Sequence, residues 1–87
     1  MNRYIATILD LNFHPMFEPV PSSLSIKVYV PHFDTEIKLY DETGSIDQLS
    51  RKFGFVEGKD DYNFTPLKGK KCIVVEKGEG FYFLSFL

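Results

Sequence analysis

The sequence predicts a mostly β fold with one short helix, and three observations carry that reading. Residues 24–30 and 35–41 alternate apolar and polar side chains, the pattern of strands with one buried and one wet face. Residues 45–53 carry the only helix signal: Ser45 and Gln48 at capping-box spacing, an apolar stripe of Ile46, Leu49 and Phe53, and Gly54 placed to end the helix. Residues 67–87 are the most hydrophobic stretch, with two strand-like arms around the turn Lys77-Gly78-Glu79-Gly80.

Each element follows from its residues. Residues 3–13 read as a first strand, with Ile5, Thr7, Leu9, Leu11 and Phe13 on one face and Tyr4, Ala6, Ile8 and Asp10 on the other. Residues 14–23 contain three prolines, which cannot donate to a ladder, so this segment is a loop. Met16, Phe17 and Val20 make the loop apolar, and packing over one end of the core is its expected fate, with a contact surface as the alternative. The second strand points Leu24, Ile26, Val28 and Val30 inward and Ser25, Lys27 and Tyr29 outward. A short connection, Pro31-His32-Phe33-Asp34, leads to the third, with Thr35, Ile37 and Leu39 opposed to Glu36, Lys38 and Tyr40, which predicts an antiparallel hairpin. Asp47 in the first turn of the helix and Arg51 and Lys52 in the last suit its macrodipole. Residues 55–66 form a polar connection. The final hairpin carries apolar residues on both faces of both arms, which predicts a central, doubly covered position.

Length and composition predict a single domain over residues 1–87 with a modest core. Nine Phe and five Tyr within an ordinary hydrophobic content of 44% argue against disorder. Cys72 is the only cysteine and lies in a strand pattern, so it is expected to be a buried, inert thiol in a reducing, cytoplasmic setting. The first residues carry neither a signal-peptide pattern nor a cleavage site, and no apolar run reaches the length of a membrane span. Net charge is −2, unevenly spread: residues 1–50 hold three basic and seven acidic side chains, whereas residues 51–87 hold seven basic and five acidic ones.

Three strands, a short helix and two strands give the order β-β-β-α-β-β, that of a small five-stranded antiparallel OB-like barrel. In the second half, Gly44-Ser45-Ile46-Asp47-Gln48-Leu49 followed by Leu67, Gly69, Lys70, Cys72 and Val74 resembles small OB-like single-strand DNA-binding accessory proteins of phages and mobile elements. That resemblance implies a strand running into a capped helix, a last hairpin opened by the Leu-x-Gly-Lys-x-Cys-x-Val segment, and binding to single-stranded DNA.

The candidate nucleic-acid site is the outward face of the second and third strands: Lys27, Tyr29, Lys38 and Tyr40, supported by Lys70 and Lys71. Bases stack on aromatic rings while cations follow the phosphates, and this is the face an OB-fold uses. A register setting Tyr29 opposite Lys38 and Lys27 opposite Tyr40 interleaves rings and charges, whereas a two-residue shift sets Lys27 against Lys38, a like-charge pair. Glu36 and Asp34 interrupt the phosphate track.

The other polar groups suggest less. His14 and His32 have no partners at metal-ligand spacing, and Glu57, Asp60 and Asp61 lack the pattern of a calcium loop, so no cofactor or metal is expected. Neither Ser22, Ser23 nor Cys72 sits in a nucleophile motif, so no enzyme activity is expected. Two functions follow as expectations. The first is a non-enzymatic module that binds single-stranded nucleic acid. The alternative is a protein-protein interaction module, such as a phage or mobile-element protein that docks on and inhibits or adapts a larger protein. Met16, Phe17 and Val20 would serve that alternative, with self-association through a sheet edge.

Overall fold

The structure, a computed structural model, describes residues 2–41, 44–56 and 62–87, with only the backbone of Tyr40 and Asp41. Five strands form one antiparallel sheet: β1 Asn2–His14, β2 Ser23–Val30, β3 Thr35–Asp41, β4 Lys71–Lys77 and β5 Gly80–Phe86, in the order β3-β2-β1-β4-β5. One helix, α1 Gly44–Phe53, follows β3, and a 3-10 turn, Thr65–Leu67, precedes β4.

The longest strand, β1, organises the sheet by changing partners along its length. Residues Asn2 to Thr7 pair with β4 and residues Thr7 to His14 pair with β2. The handover lies at a bulge between Ile8 and Asp10. Around it, the Ile8 N–H donates to the Lys70 carbonyl at 2.8 Å, the Gly69 N–H donates to the Ile8 carbonyl at 2.8 Å, and the Leu11 N–H donates to Asp10 Oδ1 at 2.9 Å. The extra residue corrects the continuous alternation expected for this strand. Ala6 and Ile8 are buried before the bulge and Leu11 after it, while Ile5 is 59% exposed. A bulge inserts one residue and so reverses the facing of everything beyond it.

The expected inward residues of β2, Leu24, Ile26, Val28 and Val30, are all fully buried. They meet Leu39, Cys72, Val74, Phe83 and Phe86 in one core, with Ile46 and Leu49 of α1, Phe55 and Leu67 packed in. Ser25, expected outward, is also buried, held between His14 Nε2 at 3.3 Å and the Asn12 carbonyl at 3.5 Å.

Although β3 and β5 stand at opposite ends of the sheet order, they approach each other, so the sheet is rolled. No ladder joins them among the described residues, and α1 touches both strands. Gln48 does its described bonding here: its Nε2 donates to the Leu84 carbonyl at 2.9 Å and its Oε1 accepts the Phe86 N–H at 3.1 Å. Lys52 Nζ donates to the Phe86 carbonyl at 2.9 Å, and Phe53 packs edge-on against Phe86. One end of the β5 edge is thereby covered by helix side chains, which removes it as a template for another strand. Gly54, at φ 72°, ends the helix, its N–H donating to the Ser50 carbonyl at 3.1 Å.

The last hairpin is not the central, doubly covered element expected from its composition. Its β5 arm is an edge strand, and Tyr82 and Leu84 face solvent at 52% and 37% exposure. Apolar residues on both faces of a strand do not distinguish burial on two sides from one side left open.

Candidate functional site

The outer face of β1, β2 and β3 carries the residues expected to bind nucleic acid, in the second of the two registers open to them, the one with the like-charge pair. Lys27 stands opposite Lys38, Tyr29 opposite Glu36, and Ser25 opposite Tyr40. The turn sets this. Residues 31–34 close it with the Phe33 N–H donating to the Val30 carbonyl and the Asp34 N–H to the Pro31 carbonyl, each at 3.1 Å, and Asp34 adopts φ 49°. A four-residue connection pairs Val30 with Thr35 and fixes every pair below it.

Nearby carboxylates offset the like-charge pair. Lys27 Nζ lies 3.2 Å from Glu36 Oε1, both side chains half exposed. The Tyr29 hydroxyl donates to Asp34 Oδ1. That bond, then desolvation and the Asp34 charge, hold the Tyr29 phenol above its ordinary value. Across the β1 ladder, Asp10 stands opposite Lys27 and lies 3.7 Å from Lys68 Nζ. A groove of about 410 Å³ runs between these groups, lined by Asp10, Asn12, Ser25, Lys27, Glu36 and Lys38. The face is a mosaic of both signs, not a cationic track.

Two supporting lysines fall elsewhere on the rolled sheet. Thr7 pairs with Tyr29 on one side and with Lys71 on the other, so Lys71, Thr7, Tyr29 and Glu36 form one row across four strands. Lys71 Nζ donates to Thr7 Oγ1 at 2.7 Å. Nothing in the sequence marks Thr7, because only β1 pairing with both neighbours gives it a place in the row. Lys70 is exposed beside the bulge, where its carbonyl serves Ile8. The side chain of Tyr40 and the acidic loop of Glu57, Asp60 and Asp61 lie outside the described residues.

The alternative site is a defined structure. Phe17 and Val20 form a bridge in which each N–H donates to the other's carbonyl, at 2.9 and 2.6 Å, around a cis Glu18–Pro19 peptide. The loop does not fold down over the core. Phe17 is 81% exposed, Met16 62% and Val20 58%.

Two features were less visible in the sequence. Tyr4, His32, Phe33 and Phe81 form a ring cluster, with neighbouring centroids 4.8 to 5.5 Å apart, that holds the β2–β3 turn against β1 and β5. Cys72 is sealed in the core, and burial pushes its thiol up to about 11. Among the described residues, no three His, Cys, Asp or Glu side chains converge as metal ligands do, and no helix is long and apolar enough to cross a membrane. No family model matches the chain, and no curated protein or solved structure matches it either.

Proposed function

We propose that the chain is a small, non-enzymatic binding module of OB-like architecture, acting in a reducing interior, whose ligand is a larger protein that it inhibits or adapts. The observation that carries this reading is the loop tip. Phe17, Met16 and Val20 stand in solvent while two reciprocal hydrogen bonds hold the tip in one conformation. Burying such side chains against a partner contributes roughly 1.5–3 kcal/mol each, and a tip already ordered loses little entropy on docking. The strand order, with β1 shared between β2 and β4 and α1 set between β3 and β4, supports the OB-like description; closure would need only a β3–β5 ladder.

Affinity capture with the wild type and with Phe17→Asp tests this reading. A partner retained by the wild type and lost with the variant is the expected result. A strict monomer by light scattering that retains no protein contradicts it.

One observation favours a second reading, single-stranded nucleic acid on the strand face. Lys27 stands opposite Lys38 on the same face as Tyr29, so two cations and a ring lie where a phosphate and a base would meet them. Glu36 on Lys27 and Asp34 on Tyr29 place it second. Under this reading, anisotropy of a labelled single-stranded oligonucleotide rises at low salt, falls with added salt, and is lost when Tyr29→Ala and Tyr40→Ala are combined. Under the protein reading it stays flat.

A further inference from the structure

We propose that the outer face of the half-sheet formed by the first residues of β1 with β4 and β5 is a separate docking surface, and that its occupant is an acidic, apolar-rich protein segment. This goes beyond the loop tip and does not depend on it. Strand alternation places Arg3 and Ile5 of β1 on this face, with Lys71, Ile73 and Lys77 of β4 and Tyr82 of β5. Ile5 pairs with Ile73, and Val75 connects Arg3 to Tyr82 across the ladders. A β5 bulge opposite Ile73 and Val74 turns Leu84 out beside them. Ile5, Tyr82 and Leu84 keep 59%, 52% and 37% of their surface in water. Val75 between them is buried and Ile73 half-buried, so the exposed apolar strip is that of Ile5, Tyr82 and Leu84 around them, and among the described residues no helix or further strand lies over it.

The charges around the strip are mostly positive. Arg3 and Lys77 are exposed and make no ion pair among the described residues, and Lys71 spends its ammonium on the uncharged Thr7 hydroxyl. Glu76, the carboxylate within β4, is turned away: it accepts the Tyr4 hydroxyl at 3.3 Å and Asn2 Nδ2 at 3.4 Å at the inward-facing positions of β1. Among the described residues, Glu79 on the hairpin turn is the one carboxylate that comes near the strip. The strand face is the reverse, with Asp10, Asp34 and Glu36 answering its cations.

These features select the occupant. A second copy packed face to face would bring two sets of Arg3, Lys71 and Lys77 into one interface with few carboxylates to answer them, and an excess of like charge across an interface is costly. Single-stranded nucleic acid is held by several rings along a continuous cationic groove, and this face offers, among the described residues, the single ring of Tyr82 and three separated cations. That ring lies along Gly80, where an added Cβ would stand 3.3 Å from its hydroxyl oxygen, so its surface is partly used. Aliphatic side chains dominate and ask for apolar side chains in return, and the cations around them ask for carboxylates.

The test is fluorescence anisotropy with the full chain and a short labelled peptide of alternating Glu and Leu, beside its Lys and Leu counterpart and an oligodeoxythymidylate. The expected result is saturable binding of the acidic peptide that weakens with salt, no binding of the basic one, and a loss of about tenfold or more in affinity for Arg3→Glu combined with Lys77→Glu. Amide shifts in the wild type, which need no variant, should fall on Ile5, Ile73, Tyr82 and Leu84. Equal binding of both peptides, unchanged affinity in the double variant, shifts confined to other residues, or preferential binding of the oligonucleotide would each overturn the proposal. So would a dimer of the peptide-free chain that Ile5→Asp dissolves, since the face would then belong to a second copy.

Discussion

Cys72 shows how a single side chain is tied to the whole fold. Its thiol is fully buried and is pushed up from an ordinary 9.0 to about 11 by desolvation, so the fold favours the neutral form. The stability this contributes is complete below pH 9 and is lost as pH rises through the folded value, because the unfolded thiol ionises first. The full loss amounts to roughly 3 kcal/mol, most of it reached by about pH 10.5. Urea unfolding at neutral pH and near pH 10.5 should show a steeper alkaline decline in the wild type than in Cys72→Ala, and a thiol reagent should label the chain only after denaturation. The inert role of this cysteine was legible in the sequence, since an apolar strand pattern surrounded it. The pairing of Tyr29 with Asp34 was not, because it depends on the turn between them.

Among the elements, those with clean alternation were legible: β2, β3 and the stripe of α1 formed where their residues predicted. Three features were hidden, each for a definite reason. β1 is apolar at both parities, so nothing in its pattern marks Leu9 as the extra residue. The β2–β3 register follows from turn length, and both registers satisfy the same alternation. Gln48 has the spacing of a capping box, yet its amide reaches β5, a contact between residues far apart in sequence. Gln48→Ala should therefore free the edge of β5. The amide of Phe86 should exchange faster with solvent while that of Val74, in the core ladder, keeps its protection, and stability should fall by about 1–3 kcal/mol. Leu49→Ala removes the buried anchor of the same helix and should cost more, about 2–5 kcal/mol by denaturant unfolding.

At the scale of the whole molecule, the rolled sheet gives the chain three outer surfaces with different chemistry. The strand face is a balanced mosaic, the β1–β4–β5 face is apolar and basic, and the loop tip is apolar and projecting. The mild charge asymmetry of the sequence hinted at the second, but Arg3 belongs to the acidic half and joins the basic face only because β1 pairs with β4. The apolar residues of the loop are plain in the sequence, but their exposure follows from the Phe17–Val20 bridge, which holds the tip off the core. Position 17 is the place to ask what the chain binds. A photoreactive benzoylphenylalanine installed there, irradiated in the cells that make the protein, should yield a discrete adduct with another protein, and the same group at position 38 should not. Adducts recovered on nucleic acid, or none from position 17, would contradict the protein-binding reading.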